Sequence, residues 1–175
     1  ANEKHYVAFV SGSGITPVMA HMRTIFQLEP KSSFTLVYGN KTTSSIIFKE
    51  EIEDLKNEYM DRLTVYNVLS REENEIPLFM GRIDSEKCTS FMKYFIQPDT
   101  IDEVFICGPA PMIDAVTRDV LSMMTGSQIE SSANEPAPES FDVDGVAAVV
   151  GMTGGLTANV HLVLGSNVAR KVVGG

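Results

Sequence analysis

The sequence predicts an α/β protein: a doubly wound parallel sheet followed by a C-terminal β-hairpin and a partial helix. Three observations carry this expectation. Short apolar runs alternate four times with segments of helical periodicity, the pattern of right-handed βαβ crossovers. The runs are apolar at nearly every position, as strands covered by helices on both faces must be. Each run stops at small, polar or turn-forming residues: "SGSG", "YGN", "LSRE" and "CGP".

Tyr6–Val10 is the first predicted strand, and Thr16–Leu28 the first helix, with Val18, Met19, Met22, Ile25 and Phe26 at helical spacing. "SFTLVYGN", Ser33–Asn40, is the second strand. "SSIIFKEEIEDLKNEY" is the second helix, with Ser45 as its N-cap and Ile47, Phe48, Ile52 and Leu55 on one face. "RLTVYNVLSRE" is the third strand and breaks into charge at Arg71. The loop "EENEIPLFMGR" leads to a helix over Ser85–Phe95, capped by Asp84 or Ser85. "DEVFICGP" and "APMIDAVTRDVLSMM" complete the series.

The character then changes. "TGSQIESSANEPAPES" is rich in small, polar and proline residues and reads as a linker. "VAAVVGMTGG" and "LTANVHLVLGS" flank a Gly-Gly turn and predict a hairpin. "NVARKVVGG" starts a further helix. The expected divisions are residues 1–120, a linker at 121–140, and a hairpin with partial helix at 141–175.

Composition narrows the function classes. The 175 residues are 43% hydrophobic, enough for a real core, and the formal net charge of −9 disfavours nucleic acid or an anionic membrane as partner. Only Cys88 and Cys107 are present, so neither a zinc site nor a disulfide framework is expected, and a reducing cytoplasm is. No run approaches the ~18 apolar residues of a membrane span. His21 and His161 stand apart from any ligand cluster, and the nine methionines are scattered, mostly at helical core positions.

In an open parallel sheet, ligands bind beyond the carboxyl ends of the strands. Gly12 and Gly14 remove side chains where a diphosphate would approach the backbone, and the next helix offers free N–H groups. Thr16 adds a hydroxyl, and Pro17 suits a first helical turn. No Walker lysine follows the glycines, which argues against a P-loop ATPase. Taken singly, each signal has a plain alternative: a glycine turn, ordinary Gly-Asn turn chemistry at Gly39 and Asn40, a solvated Arg71, a buried Cys107.

Taken in order, "GSGITP", "YGN", "LSRE" and "CGP" resemble the pyridine-nucleotide half of the ferredoxin–NADP reductase family. "FTLVYGNKTTSSIIFKEEIEDLKNEYMDRL" and "VLSREENEIPLFMGRID" are similar to the subgroup that serves phenylacetyl-CoA epoxidase and related oxygenases. The resemblance covers about Tyr6 to Ala115 and implies an NAD(P)H-binding domain over 1–120. It implies that Gly12, Ser13, Gly14, Thr16 and Pro17 face the dinucleotide diphosphate, and that Tyr38, Gly39 and Asn40 line the adenosine side. Ser70 and Arg71 match the position that contacts the adenine ribose and, in NADPH users, its 2′-phosphate. Cys107, Gly108 and Pro109 would sit against the nicotinamide, with Cys107 the candidate catalytic residue, acting by placement. Arg71 favours NADPH; Glu72, Glu73 and Glu75 put negative charge in the same loop, so NADH stays open.

The same resemblance implies partners: a flavin (FAD) supplied by a domain outside this stretch, a ferredoxin domain, or an oxygenase component. No "Arg-x-Tyr-Ser" flavin motif and no cysteine cluster for iron–sulfur ligation occur here, so the expectation is half an enzyme. The family's fifth strand is expected to be missing after the fourth helix, leaving a sheet edge open to dimerisation unless the hairpin covers it. The tail from Ala115 is also similar to the opening hairpin and helix of the CheX/CheC chemotaxis phosphatases. A non-enzymatic chimera or scaffold, or a fragment of a CheX-like response-regulator phosphatase, is therefore the alternative expectation.

Overall fold

The computed structural model of the chain describes residues 3–126, 147–152 and 159–163. Its elements run β1 (His5–Ser11), α1 (Ile15–Leu28), β2 (Ser33–Asn40), α2 (Lys49–Glu58), β3 (Leu63–Leu69), α3 (Ser85–Tyr94), β4 (Glu103–Gly108), α4 (Ala110–Thr125), β5 (Ala147–Met152) and β6 (Asn159–Val163). The strands form one sheet in the order β3-β2-β1-β4-β5-β6. β1 to β4 are parallel to one another, and Tyr6 pairs with both Phe34 and Glu103. The chain therefore winds outward from β1 through β2 to β3, then returns to the other side of β1. The switch point lies between β1 and β4, where an open α/β sheet forms its crevice.

Period-two alternation sorts the strand residues into two cores. Val7, Phe9, Val37, Val68 and Ile106 face α3 and α4, meeting Cys88, Phe91, Met92, Met112, Ile113 and Val116. Tyr6, Ala8, Val10, Phe34, Leu36, Tyr38 and Leu63 face α1 and α2, meeting Val18, Met19, Met22, Phe26 and Ile52. Phe9, Phe34, Tyr38 and Phe91 are all almost completely enclosed. Each burial of such a side chain is worth ~1.5–3 kcal/mol, so the two cores, not helix propensity, hold the layers together.

One local start differs from expectation. Ser45 does not cap α2. It ends a short 3-10 turn, Thr43–Ser45, in which Thr42 and Ser45 exchange capping hydrogen bonds. α2 begins only at Lys49, after Phe48 takes a left-handed conformation (φ 59°). The reason is packing: Phe48 lies against the α1/α2 core, while Ile47, expected on the buried face, is exposed. Asp84 caps α3 as expected, its carboxylate accepting from the Lys87 N–H at 2.9 Å.

α4 runs through residues 121–125, with Leu121 buried, and ends at Gly126 in the left-handed conformation. β5 pairs in parallel with β4, Ile106 opposite Val150 and Gly108 opposite Met152. β6 returns antiparallel to β5, so the hairpin expected from the sequence lies in the sheet. The expected open edge beside β4 is thus occupied, because the chain after α4 supplies a fifth parallel strand. The remainder of the linker and the helix expected after Ser166 lie outside the described residues.

Candidate functional site

A cavity of about 700 Å³ opens over the carboxyl ends of β2, β1 and β4. Its floor is built from residues without bulk. Ser11 pairs with Gly39, and Gly108 lies beside Ser11 on the next strand. A β-carbon at Gly39 would come within 3.2 Å of Ile83 Cδ1. One at Gly108 would come within 2.8 Å of Met112 Cε and 3.1 Å of Ser11 Cβ. Larger residues there would displace the two side chains that form the wall toward α3 and α4.

The walls carry charge of one dominant sign. Lys41, Arg71 and Arg82 line the cavity with a single carboxylate, Asp84, whose Oδ1 caps the start of α3. None of the three cations joins an ion pair among the described residues. Three unpaired cations around one cavity, in a chain of net charge −9, concentrate positive potential where an anionic ligand would sit.

Hydrogen bonds fix the loops that bring them there. Ser70 N donates to Asn40 O at 2.9 Å, and Arg71 N to Lys41 O at 2.8 Å, so the ends of β2 and β3 stay zipped past the sheet. The loop after Arg71 leaves and returns: Met80 bridges to Leu69, Gly81 N donates to Leu69 O at 2.9 Å, and Gly81 turns with φ 89°. That return delivers Arg82 to the cavity that Arg71 lines. Glu72, next to Arg71, does not line the cavity. Its carboxylate accepts from both the Thr43 N–H and the Thr43 hydroxyl at 2.6 Å, bonds that hold it below the usual carboxylate range.

The structure brings together Gly12, Gly39, Asn40, Ser70, Arg71 and Pro109 of the residues expected at the site, and adds Ser11, Lys41, Ser45, Arg82 and Met112. Ser13, Thr16 and Pro17 lie at the start of α1, outside this cavity, with Thr16 and Pro17 exposed. Gly14 is buried on the β4 backbone. Tyr38 lines nothing: it is fully enclosed on the α1/α2 side, and its hydroxyl donates to Gly12 O at 3.0 Å from beneath. Burial pushes that hydroxyl up, with the Asn40 side chain opposing. Cys107 is likewise enclosed, under Gly14, and burial pushes its thiol up. Lys41 and Arg82 carry no mark in the sequence beyond polar loop surroundings; the one sign of Arg82 is the glycine before it, where a loop turns back.

The donor set suits a dinucleotide. Asn40 lines the cavity at the end of β2, the glycines at the strand ends leave its floor open, and Lys41, Arg71 and Arg82 are free of ion pairs among the described residues to meet phosphate. No group of His, Cys, Asp and Glu fit for a metal ion occurs among the described residues. No helix among them is long and apolar enough to cross a membrane. A switch-point crevice with these properties defines a nucleotide-binding domain of the doubly wound class.

Comparison with known proteins narrows the class. Residues 9–118 match the family model described as "Oxidoreductase NAD-binding domain", and the chain belongs to that family. Its cofactor is a nicotinamide dinucleotide. It is 46% identical over 109 residues to a subunit of the 1,2-phenylacetyl-CoA epoxidase of Escherichia coli (strain K12), covering 62% of this chain and 31% of that protein. To the NADH-cytochrome b5 reductase 2 of Aspergillus oryzae it is 32% identical over 126 residues, covering 69% and 38%. The chain spans about a third of the length of these relatives. Among solved structures, the CS-b5R domains of human Ncb5or in the NAD+ form align with a TM-score of 0.59 at 25% identity, covering 69% of this chain and 34% of that one. The cytochrome b5 reductase domain of Ulva prolifera nitrate reductase shares the fold, with a TM-score of 0.55 at 22% identity over 70% and 47%. The matched region ends at 118 inside α4, and the comparisons give no support to the CheX/CheC resemblance of the tail.

Proposed function

We propose that this chain is the dinucleotide-binding half of a flavin-dependent electron-transfer reductase serving an oxygenase, with NADPH as its hydride source. The observation that carries the reading is the trio Lys41, Arg71 and Arg82, without ion pairs among the described residues around one cavity, with Glu72 bonded to Thr43 and outside its lining. Arg71 and Arg82 suit a 2′-phosphate because each guanidinium donates paired, charge-assisted hydrogen bonds. Ser70 and Asn40 take the ribose and base side, and the Gly12 turn meets the diphosphate. The strand end at Gly108 and Pro109 sets the nicotinamide, whose reduced ring supplies hydride to a flavin held by another domain or chain. Cys107 acts from below, fixing the turn over it, and is no nucleophile. The likeness to a component of an epoxidase supports the oxygenase partner.

The competing donor is NADH, for which the cytochrome b5 reductase relatives are named. Calorimetric titration of the protein with both cofactors decides between them. NADPH is expected to bind at least about tenfold tighter, since a cation–phosphate contact of this kind is worth ~1.5–3 kcal/mol. Arg71→Ala and Arg82→Ala each reduce that preference. Equal affinities overturn the choice of NADPH, and no binding of either at millimolar concentration overturns the reading.

A further inference from the structure

Glu72 stands one residue from Arg71, where a carboxylate opposes binding of a phosphate. Its carboxylate is engaged instead by the loop after β2. Both carboxylate oxygens are engaged by Thr43, one by the backbone N–H and one by the hydroxyl, each at 2.6 Å. Thr43 opens the 3-10 turn Thr43–Ser45, so its N–H lacks a partner within the turn, and Glu72 supplies one from another loop. The contact also works mechanically. The loop after β2 carries Lys41 and Ser45, the loop after β3 carries Ser70 and Arg71, and all four line the cavity. The backbone bonds Ser70 N to Asn40 O and Arg71 N to Lys41 O begin the seam between the loops, and the Glu72–Thr43 clasp closes its far end.

We infer that Glu72 is a positioning residue for cofactor discrimination: clasped by Thr43, it withdraws its charge from the 2′-phosphate site and holds Lys41 and Arg71 side by side. This rests on the NADPH reading above. The bland alternative is a clasp that merely stabilises two loops, and the two differ in what release of the carboxylate does. A freed Glu72 reaches Arg71 and competes with a phosphate, but has little to oppose in a cofactor carrying a 2′-hydroxyl.

The test measures affinities for NADPH and NADH in the wild-type chain, Thr43→Val, and the double variant Thr43→Val/Glu72→Gln. Thr43→Val removes the hydroxyl donor with little change in volume. It is expected to weaken NADPH binding about tenfold while NADH changes less than about threefold. The double variant, with the loose carboxylate neutralised, is expected to recover most of the NADPH affinity. Equal losses for both cofactors, or no recovery in the double variant, overturn the inference and leave the NADPH reading standing. A wild-type chain that does not distinguish the cofactors overturns both. Thermal melting of each variant separates loss of fold from loss of discrimination, because a loop-stability role alone predicts that the double variant melts and binds no better than Thr43→Val.

Discussion

Gly14 lies so close to Cys107 that a β-carbon on it would fall 2.5 Å from the Cys107 carbonyl oxygen and 3.0 Å from Sγ. The turn opening α1 therefore rests directly on β4, and the nearest obstructing atoms are backbone. Gly12, two residues earlier, meets nothing within 4 Å but turns with φ 55°. The two glycines are needed for different reasons, one for space and one for conformation. Gly14→Ala is expected to destabilise the fold by ~1–3 kcal/mol through overpacking. Gly12→Ala is expected to cost ~1–2 kcal/mol, the penalty of a left-handed alanine. Urea denaturation of both variants checks the order, and a Gly12 variant clearly worse than Gly14→Ala would contradict it.

Tyr38 holds the Gly12 carbonyl from below. Tyr38→Phe keeps the ring in its core and loses only the hydroxyl, for an expected ~1 kcal/mol of stability. The same change frees the Gly12 peptide beneath the diphosphate turn. NADPH affinity should then fall more than affinity for adenosine 2′,5′-bisphosphate, which lacks the diphosphate bridge. Parallel titrations of the two ligands measure the difference, and equal losses would refute it.

His5 gives the stability a pH dependence. Its ring contacts the Thr35 hydroxyl at 2.9 Å and the Thr100 hydroxyl at 3.1 Å, and burial pulls its pKa below the usual 6.5, with Asp102 opposing. The folded state thus holds the proton less tightly than the unfolded chain. The contribution is fully present above about pH 6.5 and declines as pH falls through the lowered folded pKa. Denaturant midpoints measured from pH 7.5 to 5 should drop on the acid side, and His5→Gln should flatten that drop. Glu72, held low by Thr43, titrates below this window and leaves it undisturbed.

Arg62 closes the C-terminal end of α1. Its guanidinium donates to Glu29 O at 2.8 Å, Ser32 O at 3.2 Å and Phe26 O at 3.3 Å, and lies about 5 Å from the rings of both Phe26 and Tyr59. A lysine has neither the planar fork nor the stacking surface. Arg62→Lys is expected to cost ~1–2 kcal/mol, seen as a lower urea midpoint with the slope unchanged.

The four strand–helix units are legible because uninterrupted apolar runs and 3.6-residue spacing are local properties of the chain. Counting by twos from Phe34 through Leu36 also puts Tyr38 in the α1/α2 core, so the alternation of β2 argues against a cofactor contact there. The start of α2 is not legible, since Phe48 enters a left-handed conformation for its packing, and no cap residue announces that. Lys41 and Arg82 reach the cavity only through pairings between loops, at Arg71 with Lys41 and at Gly81 with Leu69. Nor does "DEVFICGP" reveal its outer neighbour: that β4 pairs with β5, about forty residues later, is a long-range contact without a local mark.

The bridge between Leu69 and Met80 makes a neck, and the chain between the two residues is a ring tied at its base. Length added to such a ring enlarges its far side and leaves the spacing at the knot unaltered, at a closure cost of only ~0.6 kcal/mol per doubling. Glu73, Asn74 and Glu75, exposed at that far side, form a natural grafting point. A fluorophore-bearing peptide or a tethered redox domain can be spliced there while Arg71 and Arg82 keep their places.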